Sequence, residues 1–192
     1  MTVEQMLEVA RRNFCPAQFT EKPVSDEELV KAISGMAAGG YIFSGVTVEA
    51  LRDYMKGYGI LLSGKVGVGK TYFFRSLNRD ILILDCGVMM SWTQCEVEQF
   101  MTNYRDREIV LDDLGSGGSK GRDYGREYDA LLVALNMRDP ARCRMRTHFT
   151  TNLTNDELVE KFDARCVDRI YGMARCFRLP DEESRRDAKA FV

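Results

Sequence analysis

Gly64-Lys65-Val66-Gly67-Val68-Gly69-Lys70-Thr71 decides the reading of this chain. The octet fits the pattern GxxxxGK[ST] and directly follows a short apolar strand, Ile60–Ser63. A helix from about Lys70 to Asn78 is expected after it. Strand, glycine-rich turn and helix form the context in which this pattern works. Glycine lets consecutive backbone N–H groups turn inward around phosphate oxygens. The N-terminus of the following helix adds free donors and a favourable dipole. Lys70 is expected to reach the β- and γ-phosphates of a nucleotide, and the Thr71 hydroxyl to ligate Mg²⁺. All eight residues, Gly64, Lys65, Val66, Gly67, Val68, Gly69, Lys70 and Thr71, are candidate nucleotide-binding positions.

Working outward, Ile109-Val110-Leu111-Asp112-Asp113-Leu114-Gly115 places two carboxylates at the C-terminal end of an apolar strand. In open α/β sheets that edge faces the ligand. Asp112 is the candidate for holding Mg²⁺, directly or through water. Asp113 is positioned to orient or deprotonate an attacking water. The interval from Lys70 to Asp112 leaves room for helix, strand and helix. That suits the P-loop proteins that keep a further strand between the phosphate-loop strand and the acidic strand.

The remaining chain alternates in the same way. Ile81–Asp85 reads as a strand, about 91–104 as a helix, and 115–123 as a flexible loop. Tyr128, Leu131, Leu132 and Leu135 mark a helix that stops before Asp139-Pro140. Thr147–Thr151 is a strand, Thr154 with Glu157 caps another helix, and Val167–Met173 suggests one more before a strand at Cys176–Leu179. The first fifty-five residues differ. Val3, Met6, Leu7, Ala10 and Phe14 recur at helical spacing, Cys15–Val24 holds two prolines and reads as a linker, and Ser25 with Glu28 forms a capping box. Gly39-Gly40 ends that helix, and Thr47 is expected to cap a third. The fold class is therefore α/β, a mainly parallel sheet covered by helices on both faces, with a small helical region at 1–55 and a core at 56–192.

Composition narrows the partners. The 192 residues carry 27 Lys+Arg against 29 Asp+Glu, a formal charge of −2, which excludes a polycationic nucleic-acid coat. Any DNA contact must be local: Arg142, Arg144 and Arg146 alternate, Arg138 precedes them, and Lys120 and Arg122 lie on the glycine-rich loop. A solvated charged loop is the competing reading. The apolar run Ile81–Met90 is too short to span a bilayer, and the N-terminus lacks a secretory h-region, so no membrane role and a cytoplasmic location are expected. Six scattered cysteines and one histidine, with no CxxC pair, argue for reduced, mostly buried thiols and against a zinc site. His148 and Trp92 read as packing residues.

Four segments together, GILLSGKVGVGKTYF, IVLDDLG, HFTTNLTNDEL and ARCVDRI, resemble AAA+ ATPases of the DnaC/DnaI helicase-loader and IstB transposition-helper group. The similarity covers roughly residues 57–186. It implies a P-loop NTPase fold with an AAA+ core, a five-stranded parallel sheet flanked by helices and no C-terminal lid. It also implies ATP and Mg²⁺ as cofactors. Asn152 looks like the sensor residue that contacts the attacking water or the γ-phosphate. Arg169 resembles the arginine finger that acts in a neighbouring subunit of a homo-oligomer, with Arg165 as the second candidate. Arg138 sits where relatives carry an arginine-rich helix end, although complementing the helix dipole explains it equally well. The implied partner is a replicative DnaB-type helicase, with a transposase as the alternative and single-stranded DNA as a further candidate. Relatives carry a longer helical insertion where this chain has only Cys86–Glu108. Outside that group, a small-molecule kinase and a non-hydrolysing ATP switch remain as readings.

Overall fold

In the computed structural model the described residues are 21–77, 80–117, 120–123, 126–140, 143 and 145–181. The expected helix at 3–14, Arg142, Arg144 and the segment on which a lid expectation falls, 182–192, lie outside them.

Among the described residues, helices α1 (Asp26–Ala38) and α2 (Gly45–Lys56) come first. The core alternates β1 (Gly59–Ser63), α3 (Lys70–Ser76), β2 (Leu82–Asp85), α4 (Cys86–Met89), α5 (Gln94–Asn103) and β3 (Ile109–Leu114). A hairpin of β4 (Lys120–Asp123) and β5 (Arg126–Asp129) follows, then α6 (Ala130–Met137), β6 (Thr147–Thr151), α7 (Asn155–Lys161), α8 (Ala164–Met173) and β7 (Ala174–Arg178). Five strands form one parallel sheet in the order β2-β3-β6-β1-β7. The sheet is parallel and five-stranded, as expected, with helices on both faces. β6 separates the phosphate-loop strand β1 from the acidic strand β3, so three strand ends that matter lie side by side.

The strands read as near-continuous apolar runs because both faces are covered. All five residues of β1 are buried. Leu61, Leu111 and Phe149 point to one layer, made by α5, α6, α7 and α8. Ile60, Leu62 and Val110 point to the other, where α3 places Phe73 and Phe74 and where Leu29, Met36, Leu51 and Tyr54 of α1 and α2 pack. β1 can begin only with glycine. A Cβ on Gly59 would lie 2.2 Å from the Met173 carbonyl oxygen and 2.6 Å from that of Thr147.

Local signals explain most helix starts. Ser25 and Glu28 form the expected capping box, as do Thr154 and Glu157. Three expectations are corrected. Ser44, not Thr47, caps α2; Thr47 is the third helical residue and closes the box from the other side. The helix expected at about 91–104 is α5, which Thr93 with Glu96 starts, and a short helix not expected, α4, precedes it because Asp85 caps at once. The loop expected at 115–123 contains β4, and Tyr128 belongs to β5 rather than to a helix. Gly121 pairs with Tyr128 there, and the ring occupies the space a Cβ would need.

A charged network closes the end of the sheet opposite the phosphate loop. Glu108, just before β3, accepts from the Tyr54 hydroxyl at 2.9 Å and from Arg146 Nε at 2.9 Å, and a second Arg146 nitrogen is also bonded. Arg146 also reaches the Tyr54 carbonyl and stacks 4.2 Å above its ring. His148 lies fully buried within this network. Its Nδ1 accepts the Ile60 N–H, so Nε2 carries the proton and faces Glu108 at 3.5 Å. Arg146 is thus an internal anchor and is not part of the basic surface expected around it. Arg138 is equally internal, only 1% exposed. Its guanidinium donates to Thr147 Oγ1 and to the carbonyls of Arg107, Met145 and Arg146. Arg138 is therefore structural, but its bonds go to these groups beside β3 and β6 rather than to the end of its own helix, as the dipole reading requires. Trp92, partly buried, packs against the core as expected, and Phe149 lies within it. Among the described residues Cys86, Cys143 and Cys166 are buried, whereas Cys95 and Cys176 are exposed. No described helix is long and apolar enough to cross a membrane.

This network makes stability depend on pH in a defined direction. Burial alone pushes the Glu108 carboxyl up, but the facing His148 N–H and the charge of Arg146 outweigh it and hold the pKa at about 2. The ordinary value is 4.5, so the stabilisation is complete above that and is lost as pH falls toward 2. Burial holds His148 below its ordinary 6.5, so acid also favours the unfolded chain from that point down. Glu108→Gln is expected to cost ~3 kcal/mol near neutral pH, because Arg146 is left buried without its partner. It is also expected to flatten the decline between pH 4.5 and 2. Denaturant melts across pH check both effects, and a variant as stable as the parent would contradict them.

Candidate functional site

The octet forms the floor of a cleft of about 560 Å³ at the C-terminal edge of the sheet. Gly64, Gly67 and Gly69 take positive φ, 146°, 88° and 97°, a region that L side chains rarely adopt. The loop thereby wraps back over the start of α3. The residue before α3, Gly69, has no side chain with which to cap the helix. Val66, Gly67, Gly69, Lys70 and Thr71 line the cleft. Gly64, Lys65 and Val68 do not line it, but they shape it. Val68 is buried beneath the loop, and Gly64 and Lys65 offer their carbonyl oxygens to Lys70. The Lys65 side chain pairs with Asp181 at 3.4 Å instead.

Lys70 is 7% exposed and is held at three points. Its Nζ donates to Gly64 O at 2.8 Å, Lys65 O at 2.7 Å and Asn152 Oδ1 at 2.7 Å. Asn152 follows β6, and its Nδ2 donates to Asp113 Oδ1 at 2.6 Å. The orientation of this amide is dictated by its partners: an ammonium only donates and a carboxylate only accepts. Thr71 Oγ1 donates to Asp112 Oδ1 at 2.9 Å. The sequence placed Lys70, Thr71, Asp112, Asp113 and Asn152 in one site, and the fold brings all five together.

The donor set fits a nucleotide with a divalent cation. Thr71 and Asp112 present hard oxygens to one another, the kind that Mg²⁺ takes from protein while phosphate and water complete its shell. The helix start and Lys70 supply the positive field that phosphates need. Among the described residues there is no cluster of metal-binding side chains that would form a separate all-protein cage.

Sequence reasoning missed several wall residues. Tyr41 and Ile42, between α1 and α2, line the cleft with Tyr72 and Arg75 of α3. The Tyr41 and Tyr72 rings stack with centroids 6.0 Å apart, and Tyr72 donates to Gly39 O at 2.6 Å. No local pattern marks that segment; only the packing of α1 and α2 on the sheet brings it there. Asp85 also lines the cleft, in register with Asp112. Its position at a strand end was a usable signal. It already serves as the α4 cap, accepting from the Val88 N–H at 3.1 Å.

The two candidate finger residues stand elsewhere. Arg165 and Arg169, on one face of α8, line a separate groove with Leu132 and Asn136 of α6. Arg169 donates to Asp139 Oδ2 at 2.6 Å, and Arg165 pairs with Asp163 at 3.1 Å while 74% exposed. Neither lines the cleft of its own chain.

No protein-family model matches the chain, and no curated protein does. Among solved structures it is similar to the replication initiator DnaA bound to AMPPCP and single-stranded DNA, with TM-score 0.49 and 12% identity, covering 77% of this chain and 50% of that one. It is similar to AMPPCP-bound DnaA from Aquifex aeolicus, with TM-score 0.49 and 13% identity, covering 80% and 54%. A DNA replication initiation factor gives TM-score 0.45 and 13% identity, covering 91% and 52%. The chain spans about half the length of each.

Because Lys70 makes charged hydrogen bonds, Lys70→Ala is expected to weaken ATP binding by about 10–100-fold without lowering the melting temperature appreciably. Calorimetric titration with ATP checks this. Unchanged affinity would mean that the cleft is not the nucleotide site.

Proposed function

We propose that this chain binds ATP with Mg²⁺ in the cleft, hydrolyses it to ADP and phosphate, and acts as a loader or helper ATPase in DNA replication. The observation that supports the chemistry is the bridge formed by Asn152. It joins the cation expected at the β- and γ-phosphates, Lys70, to the carboxylate expected at the attacking water, Asp113. A residue between these two groups lies where the γ-phosphate and the water must meet.

The roles follow from the groups present. Backbone N–H donors of the loop and α3 bind the phosphate chain, and Lys70 leaves its two loop carbonyls for phosphate oxygens. Thr71 and Asp112 hold the cation, which, when bound, neutralises charge on the phosphates. Asp113 accepts a proton from water or fixes its orientation, and Asn152 holds the water or the γ-phosphate in line. Tyr41, Ile42 and Tyr72 offer an apolar wall for the base.

The finer assignment, to a protein that loads a replicative DnaB-type helicase, rests on the resemblance of the four motif segments to helicase loaders. A transposase is the alternative partner. Arg169 is the proposed finger. It stands outside its own cleft, so it would have to work in a neighbour, after leaving Asp139. Single-stranded DNA enters as an activator to be tested.

Turnover is therefore expected to rise faster than linearly with protein concentration and to vanish in Lys70→Ala. Arg169→Ala is expected to lose about 10³–10⁵ in rate while keeping ATP affinity. Asp113→Ala should bind ATP and not turn it over. A wild-type protein that binds ATP but hydrolyses none, alone or with helicase and DNA, would instead make it an ATP-operated switch.

A further inference from the structure

Two residues of β3 sit opposite one residue of β6. Leu111 pairs with Phe149 and Leu114 with Thr151, so Asp112 and Asp113 together face Thr150. This is a β-bulge, a device that re-aims side chains beside functional sites. In an uninterrupted strand two consecutive side chains point to opposite faces, and only one of the two carboxylates could serve a single cleft. Here both line it. Asp113 adopts φ 57°, the one non-glycine residue with positive φ among those described. Such a conformation persists only where its surroundings hold it.

Thr150 supplies that hold. Its Oγ1 accepts the Asp113 N–H at 2.8 Å, a donor that the bulge removes from the sheet ladder. The same hydroxyl donates to Asp112 Oδ1 at 2.6 Å. A hydroxyl has one proton to give, and here it goes to the carboxylate expected at the cation while a lone pair receives the backbone of the carboxylate expected at the water. Thr150 is 1% exposed. Asp112 has a second hydroxyl donor, Thr71, but Thr71 is itself an expected cation ligand. Thr150 is free of that duty.

We propose that Thr150 is a positioning residue whose hydroxyl fixes Asp112 and Asp113 relative to one another, and so sets how strongly Mg²⁺ strengthens nucleotide binding. The proposal rests on the nucleotide reading above. It requires the hydroxyl itself, so serine should substitute and valine, of nearly the same shape, should not.

The test is ATP affinity measured with Mg²⁺ and again with chelator, for the wild type, Thr150→Ser and Thr150→Val. Thr150→Val is expected to lose about tenfold in the Mg²⁺-dependent gain while keeping its chelator affinity within about twofold. Thr150→Ser is expected to keep the gain. In turnover, which needs Mg²⁺, Thr150→Val should raise KM for ATP in step with the lost affinity and also lower kcat. If the valine variant fails to fold, Thr150→Ala gives the same readout without the added methyl. A full Mg²⁺ gain in the valine or alanine variant would overturn the proposal. So would equal loss of affinity with and without Mg²⁺, which would make Thr150 merely structural. A wild type that binds Mg²⁺·ATP without turnover would overturn hydrolysis alone, since the binding comparison still decides the role of Thr150.

Discussion

Asn152 holds Lys70 through its carbonyl oxygen and Asp113 through its amide, and the rest of the site is arranged around that pair of hydrogen bonds. The pairing requires β6 to run between β1 and β3. Only then does the residue after β6 stand between the phosphate loop that leaves β1 and the carboxylates that end β3. The parallel sense of the sheet is equally necessary, because it delivers all three strand ends to one edge. Alternating helices on both faces make that sense possible, and the continuous apolar strands are its signature in the sequence.

The two ends of the sheet are built from different physics. At the cleft, polar groups are partly exposed and bonded to one another in arrangements that other ligands could replace. Lys70 spends two of its bonds on its own loop, and Thr71 gives its proton to Asp112. At the opposite end the polar groups are closed off. Glu108, Arg146 and Tyr54 bond to one another beside the buried His148, and Arg138 is surrounded by carbonyl oxygens that ordinary strand and helix ends would leave unmatched. A buried network of this kind is costly to break at any one point. It ties α2 to the sheet, and α2 in turn fixes the segment carrying Tyr41 and Ile42 against the cleft.

Legibility followed the range of the interaction. The phosphate loop, the acidic strand end, the apolar strands and two of the capping boxes were readable because each is a local pattern with a local cause. Arg146 was misread because its partner is 38 residues away, and an alternating arginine pattern looks the same whether it is solvated or paired. The hairpin was missed for a related reason: its strands, Lys-Gly-Arg-Asp and Arg-Glu-Tyr-Asp, are polar and lack the apolar alternation that marks a half-buried strand. The role of Thr150 was hidden because a bulge in β3 is a property of pairing, and sequence alone shows no pairing. Arg138 shows the complementary case, in which two roles fit one position and burial decides between them.

The most direct measurement is a high-resolution structure with a non-hydrolysable ATP analogue and Mg²⁺. The account predicts Lys70 Nζ released from the Gly64 and Lys65 carbonyls and turned onto phosphate oxygen, with the cation against Thr71 and Asp112. Asn152 and Asp113 should then face the terminal phosphate. A nucleotide bound elsewhere, or one bound here with Lys70 still held by its loop, would contradict it.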